Sequence, residues 1–416
     1  MKVLLLNQCF YPDVAATAQL LTDLAVAFSK QGHEVTVITG RRGYDTPEHS
    51  FAARETYQGI KIVRIRTPFL GKSSRLRRAV NFGIFLVNCA LRLLLMPHQD
   101  AVIALTSPPL ISLLGGLFVR LKGGRFYFWV MDLNPDEAIA AGWLKKESRT
   151  ARVLERLLRY SMWHAENIFV LDRFMRDRIE AKGISSRKLV VISPWSHDQE
   201  IQFDEQRRRD FRAAHDLSKK FVVMYSGNHS PCHPLDTLLA AAESLQTNSR
   251  IVFCFAGGGS EKLKVEQFAS TRGLENIKCF PYQPLAQLSA SLSAADLHVV
   301  VMGEPFVGIV HPCKLYNILR VGAPLLYIGP RESHVSDVAA ESGQMLEFYG
   351  ARHGEVELVA SHILAAARRQ RAARTIVREL AEKFSSLALV PHITAAVEKD
   401  ELVKLMPDAE SRVRIA

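Results

Sequence analysis

Two doubly wound α/β domains with parallel sheets are what this sequence predicts, on three observations. Strand-length apolar runs alternate with amphipathic helical segments along most of the chain, as in parallel strands joined by right-handed helical crossovers. The alternation stops once, at a polar run near residue 200, and then restarts. A chain of 416 residues is also too long for one comfortable core, so two domains of about 200 residues each are expected.

The opening KVLLLNQ is a continuous apolar run, typical of a strand buried on both faces, so the amino terminus reads as a strand and not a signal peptide. The loop CFYPDVAAT follows, then a helix ending near Gly32, a residue suited to the position just past a helix end. HEVTVIT, IKIVRIR, DAVIALTS, RFYFWVMD and ENIFVLD are the next strands, and VVISPW closes this half. The charged run Ser196–Asp216 reads as the interdomain connection. KFVVMYSGN, RIVFCFAGGG, NIKCFPYQP, LHVVVM and PLLYIGP then supply a second parallel sheet. The expected organisation is one domain over residues 1–197, a second over 198–385, and terminal helices over 386–416.

Composition narrows the partners. The net charge of +11 favours anionic ones: nucleic acid, anionic lipid or a phosphorylated substrate. No nucleic-acid-binding motif is present. Cys9, Cys89, Cys232, Cys254, Cys279 and Cys313 form no C-x-x-C pair, which fits reduced thiols in a cytosolic protein and not a disulfide framework or a zinc site. From Thr56 to Gln99 there are eight Lys and Arg and no acidic residue. Within that run Lys72, Arg75, Arg77 and Arg78 lead into an apolar helix interrupted by Asn81, Asn88 and Arg92. The favoured reading is a helix lying on a membrane with those four cations at anionic headgroups. An ordinary core helix is the alternative; a membrane span would split the first sheet.

Ligands of open α/β sheets bind at the carboxyl ends of strands, so the loops there are the candidate site. In IVHPCKLYNILRVGAPLLYIGP, Lys314 stands in the first turn of a helix, where the helix dipole disfavours a cation unless something anionic binds there. Pro312 suits the first helical position, which leaves Cys313 and Lys314 with free N–H groups. A phosphate held by those groups and the ammonium accounts for the placement. His311 reads equally as a second donor or as a loop residue. Ser226-Gly227-Asn228 lets backbone approach a ligand, with His229 and His233 adjacent. The Gly257-Gly258-Gly259 loop lacks dinucleotide-binding spacing and is weak by itself. Tyr282 fits a base-stacking or a structural role equally. In the first half, Asp132 ends a strand and is placed to orient an acceptor hydroxyl, act as a base, or cap the next helix. Asp13 and Thr17 lie in a loop on the same side.

These motifs, in this order, resemble glycosyltransferase family 4. LLLNQCFYPDVAATAQLLTDLAVAFSKQGHEVTVITG is similar to the family's opening. FVVMYSGNHSPCHPLDTLLAAA, FCFAGGGSEKL, LSAADLHVVV and HPCKLYNILRVGAPLLYIG follow. The likeness is greatest to bacterial colanic-acid-type exopolysaccharide and lipopolysaccharide enzymes, which carry a similar PSKLYxxLAAGxP run. The resemblance implies the GT-B fold, two Rossmann-like domains facing a central cleft. It also implies a nucleotide-sugar donor, UDP-linked by preference, and a retaining mechanism without cofactor or metal ion. Carried over, Lys314 and its helix hold the donor diphosphate, while Gly227, Asn228 and His229 line the phosphate and sugar. Gly257–Gly259 and Tyr282 border the base, and Asp132 sits near a polyprenyl-diphosphate-linked glycan acceptor. The final helices, from about Phe384, cross back to the first domain. Such an enzyme would work at the cytoplasmic face of the inner membrane.

The sequence departs from the family in two places. Ile309 and Asn317 stand where many members have two glutamates, the second of which touches the ribose. Ala15-Ala16 replaces a glycine pair. Two competing functions remain open at this point. A sugar-nucleotide 2-epimerase would need a carboxylate cluster, and a catalytically degenerate membrane partner would need only the fold.

Overall fold

The computed structural model describes residues 1–13, 15–43, 50–67, 75–196, 201–343, 345–369 and 378–398. The chain forms two compact units. Unit 1 holds residues 1–135, 145–193 and the helix from Leu387; unit 2 holds 136–144 and 194–386.

In chain order, unit 1 begins with β1 (Lys2–Leu6), α1 (Ala16–Lys30), β2 (Glu34–Gly40), β3 (Arg54–Tyr57), β4 (Ile60–Ile65), α2 (Arg75–Leu94), β5 (Ala101–Ala104), α3 (Ile111–Lys122) and β6 (Arg125–Trp129). The short α4 (Asp136–Ala140) groups with unit 2. Unit 1 resumes with α5 (Arg149–His164), β7 (Asn167–Val170), α6 (Arg173–Ala181) and β8 (Leu189–Val191). Its sheet runs β3-β4-β2-β1-β5-β6-β7-β8. Val3 to Leu6 and all of β5 and β7 are buried, as the unbroken apolar runs require. α1 presents Leu20, Leu21, Leu24 and Phe28 to the core and ends before Gly32, whose φ of +84° only glycine adopts cheaply.

Unit 2 contains α7 (Glu205–Ala214), β9 (Phe221–Ser226), α8 (Asp236–Ser244), β10 (Ile251–Ala256), α9 (Lys262–Arg272), β11 (Ile277–Phe280), α10 (Leu285–Ala294), β12 (Leu297–Val301), α11 (Lys314–Val321), β13 (Leu325–Ile328), α12 (His334–Ser342), β14 (Phe348–Ala351), α13 (Val356–Arg368) and α14 (Arg378–Lys383). The sheet order is β11-β10-β9-β12-β13-β14, all parallel. Alternate residues of β9 serve opposite faces. Val223 and Tyr225 pack with α8 and α13, while Val222 and Met224 pack with Ala294 and Ala295. The chain leaves β9 in one direction for β10 and β11, then returns to place β12 on the other side. This reversal opens a crevice at the carboxyl ends of β9 and β12.

The last helix, α15 (Ser386–Glu398), packs on unit 1. The Gln31 side-chain amide donates to Thr394 Oγ1 at 3.1 Å, and the Tyr127 hydroxyl donates to the Val397 carbonyl at 3.2 Å.

Four sequence expectations need correction. The first sheet is not wholly parallel, because β3 pairs antiparallel with β4 at its edge. The Gln58-Gly59 turn has positive φ at both residues (48° and 80°), the tight-hairpin geometry that matches strand twist. β14 also went unread.

Second, the charged run after Ser196 is not a bare connection. It contains α7, whose Arg208 and Arg212 are buried. Arg208 reaches one oxygen of Asp296 at 2.6 Å and Arg212 the other at 3.0 Å, while the Val222 N–H donates to the same carboxylate at 2.8 Å. A buried cation is costly unless paired, and α7 is pinned to unit 2 in this way. Burial alone would raise the Asp296 pKa, but the two guanidiniums hold it below the usual carboxylate value.

Third, unit 1 ends at Ser193 and not at residue 197. The Ser196 N–H donates to the Phe384 carbonyl at 2.9 Å, which ties this stretch into unit 2. Fourth, Thr17 lies in the first turn of α1 and not in a loop.

Candidate functional site

The site is built at the carboxyl end of β9. Strand β9 is buried on both faces, so its penultimate residue, Tyr225, has a fully buried ring. The Tyr225 hydroxyl donates to the Asn228 carbonyl at 2.7 Å and so folds the chain back over the strand end. Lys314, the first residue of α11, lays its ammonium over that ring, 3.7 Å from the centroid. Part of the lysine chain reaches the surface, but Nζ is buried and has no hydrogen-bond partner. Burial lowers its pKa to about 7. A desolvated cation facing only an aromatic ring is costly unless an anion arrives.

Gly227 makes room for it. Its φ is +138°, and a Cβ there would lie 3.1 Å from Lys314 Cε and 3.2 Å from Nζ. Gly257 is constrained as tightly, since its Cβ would fall 2.1 Å from the Gly227 carbonyl oxygen. Gly259 would strike Asn228 Oδ1, and Gly258 lies under the Tyr282 ring. The glycine loop is therefore a packing device. It lets the ends of β9 and β10 touch, backed by the Gly227 N–H to Ala256 carbonyl bond at 2.9 Å. Tyr282 is 40% exposed above Gly258, placed for a planar group to stack on it.

His229 is buried, and its N–H donates to the Gly258 carbonyl at 2.7 Å. The ring Nδ1 lies 3.2 Å from the same carbonyl, which can only accept, so Nδ1 carries the proton. Nε2 is then a bare acceptor, buried and without a partner. Burial first, and Lys314 second, lower the His229 pKa to about 4, so the ring is neutral at physiological pH. His233 is neutral for the same two reasons, at about 3, and donates to the Val301 carbonyl at 2.7 Å, a structural tie.

The start of α11 differs in detail from its sequence reading. Pro312 precedes the helix by two residues, and the Cys313 N–H is already given to the His311 carbonyl at 2.9 Å. The Leu315 and Tyr316 N–H groups are likewise given to the Pro312 and Cys313 carbonyls, at 3.1 and 3.2 Å, so the Cys313 N–H is not a free donor for a ligand. His311 Nε2 lies 2.7 Å from the Tyr316 hydroxyl, which also meets His334 Nε2 at 2.8 Å. This bracket braces the first turn of α11 from behind. Asn317 lies one turn beyond Lys314 and is partly exposed, while Ile309 is buried. A groove of about 1200 Å³ at the amino ends of the strands, beside Arg250, Glu347 and Arg368, shares no residue with this site.

In unit 1, Asp132 follows β6, and its N–H donates to Thr106 Oγ1 after β5 at 3.3 Å. Asp13 is buried and accepts from the Ala15 N–H at 3.4 Å, which orders the entry to α1. Lys72 and the side chain of Arg75 lie outside the described residues, whereas Arg77 and Arg78 are exposed on α2.

Sequence reasoning missed Tyr225. In a fully apolar strand it reads as core, and it is core, yet its ring face is also the floor under Lys314. Its place two residues before Gly227 was the available signal.

The comparisons with known proteins agree with this architecture. Residues 16–195 match the glycosyl transferase 4-like domain and residues 207–311 the glycosyl transferases group 1 domain, together more than two thirds of the chain. The Escherichia coli K12 protein WcaI, named for a glycosyl transferase of colanic acid biosynthesis, is 26% identical over 399 residues, covering 92% of this chain and 96% of that protein. Sucrose-phosphate synthase from Thermosynechococcus elongatus superposes with a TM-score of 0.73 at 13% identity, covering 96% of this chain and 98% of that one. HepE of Anabaena in complex with UDP and glucose superposes at 0.68 and 14% identity, covering 96% and 100%. With both domain models matched in order and two α/β sheets built mainly of parallel strands, the chain is a glycosyltransferase of the GT-B fold that resembles glycosyltransferase family 4.

Proposed function

We propose that the protein transfers a sugar from a UDP-sugar to a polyprenyl-diphosphate-linked glycan, with retention and without a metal ion, in the assembly of bacterial surface polysaccharide. The observation that carries the reading is Lys314: a buried, unpartnered ammonium at a helix start, at the switch point of a parallel sheet. In the transfer, the bond from sugar C1 to the β-phosphate oxygen breaks, and its electron pair stays on the diphosphate. Lys314 and its N–H meet that charge as it develops, so they bind the transition state more tightly than the ground state. The acceptor oxygen bonds to C1, and its proton passes to the departing diphosphate.

His229 Nε2, a bare acceptor close to the cation, would take a sugar hydroxyl. Tyr282 would stack on the uracil, and Asn317 would meet the ribose in place of the family's glutamate. Asp132, beside the Thr106 hydroxyl, would orient the acceptor. Support for UDP comes from HepE, solved with UDP and with UDP-glucose. Support for a surface glycan comes from the name of the E. coli relative. The resemblance to glycosyltransferase family 4 supports retention.

We place the enzyme at the cytoplasmic face of the inner membrane, with the basic start of α2 at anionic headgroups. Among the described residues no helix is long and apolar enough to cross a membrane. An epimerase fits the site less well, because the groups placed against Lys314 Nζ among the described residues, the Tyr225 ring and Gly227, include no carboxylate. The expected result is UDP release from a UDP-sugar that depends on added polyprenyl-diphosphate glycan, with glycan mass rising by one sugar. Acceptor-independent conversion of the UDP-sugar would instead establish the epimerase.

A further inference from the structure

α2 has two apolar faces where a surface helix needs one. Phe85, Cys89 and Leu93, four residues apart, are buried against unit 1. On the opposite side Val80, Val87, Leu91 and Leu94 repeat at offsets of seven, four and three residues. They are 41, 60, 56 and 58% exposed, and Leu95, just beyond the helix, is 81% exposed. This second stripe is about 21 Å long at the α-helical rise. It is not isolated. The His98 ring nitrogen meets the Lys122 carbonyl at 2.8 Å, which joins the exit of α2 to the end of α3, where Leu121 is exposed. Arg120 donates to the Tyr160 hydroxyl at 3.3 Å, which joins α3 to α5, where Trp163 is exposed.

The charge on α2 and α3 has one sign, and the acidic groups nearby are Asp100, paired with His98 at 3.4 Å, and Glu155 on α5. α2 and α3 contain no Asp or Glu, while Arg77 and Arg78 stand at one end of α2, and Arg120 and Lys122 close α3 near the other. An apolar strip rimmed by cations and flanked by an exposed tryptophan complements the acyl–headgroup boundary of an anionic bilayer. A second copy of the chain would bring like charges together at both ends.

We propose that this three-helix face docks on an anionic lipid surface by inserting Leu91, Leu94, Leu95 and Leu121. The inference rests on the membrane placement proposed above and relocates the attachment. The basic start of α2 steers, and the leucines at the far end hold.

The test is co-sedimentation of the full chain with phosphatidylcholine vesicles, with and without 30% phosphatidylglycerol, at low and high salt. Replacing Leu91, Leu94 and Leu95 with serine should lower vesicle partition at least tenfold at both salt concentrations. Leu263→Ser, an exposed leucine in unit 2, should leave it unchanged. A single Leu94→Trp variant should be quenched by brominated acyl chains, which reads insertion directly even if the triple variant folds poorly. Wild-type pelleting that survives the triple substitution would overturn the proposal, as would a leucine-dependent dimer in light scattering or an unquenched Leu94→Trp. UDP binding measured on the same samples separates the two readings. A wild type that pellets but binds no nucleotide refutes the donor site and not the docking face. A wild type that binds UDP and ignores vesicles does the reverse.

Discussion

Replacing Lys314 with methionine is expected to slow sugar transfer about 100- to 1,000-fold, the usual consequence of removing one preorganised donor to developing charge. The same change should raise the melting temperature. The two effects have one cause. Lys314 Nζ is buried with no hydrogen-bond partner, and its pKa falls from 10.5 to about 7. Because the unfolded chain holds that proton more tightly, the lysine costs the empty fold on the order of a few kcal/mol at and below neutral pH. Methionine keeps the aliphatic packing over Tyr225 and removes the charge. The penalty in the wild type disappears as pH rises from about 7 through the unfolded value, so the stability difference between the proteins should shrink at pH 10. Kinetics with excess donor and thermal melts at two pH values check both parts. A variant that turns over normally, or one less stable than wild type at pH 7, contradicts this account of the residue.

The second large effect concerns stability alone. Asp296→Ala should destabilise unit 2 by about 3–5 kcal/mol, because it leaves the Arg208 and Arg212 guanidiniums buried without their carboxylate. Urea unfolding followed by tryptophan fluorescence measures it. The wild-type pair should also confer acid sensitivity. Asp296 has a depressed pKa in the fold, so its contribution is complete above the unfolded value near pH 4 and is lost as pH falls through the folded one. If Asp296→Ala unfolds at the wild-type urea concentration, the ion-paired cluster does not anchor α7.

These two residues also show what a sequence can and cannot convey. Lys314 was legible because its oddity is local: a cation at a helix start, after a buried strand, conflicts with the helix dipole. The glycines at 227 and 257–259 were legible for the same reason, since a strand-end turn declares its backbone needs in adjacent residues. Most strands showed as apolar runs. The Arg208–Asp296 pair was not legible, because its partners are 88 positions apart and neither is unusual in its own neighbourhood. A run of charges was therefore read as the interdomain connection when part of it is a buried helix face. Tyr225 was hidden by being core and site floor at once. The β3–β4 hairpin was missed because β3, RETY, has no apolar run and takes its place from a turn. The α2 segment showed its basic start in the sequence, but its doubled apolar face became clear only once Phe85, Cys89 and Leu93 were seen to face inward.

The central claim is that the buried ammonium of Lys314 receives the diphosphate of the donor. Calorimetric titration of the full chain with UDP, between pH 8 and 9.5 and in two buffers of different ionisation enthalpy, tests it most directly. The UDP phosphates are fully ionised across that range, so they add no proton linkage of their own. If the diphosphate restores the lysine's ordinary pKa, binding must take up close to one proton, and affinity should fall about tenfold per pH unit. Lys314→Met should bind weakly and show neither effect. Tight, pH-independent binding of UDP without proton uptake, or equal binding by Lys314→Met, would contradict the account.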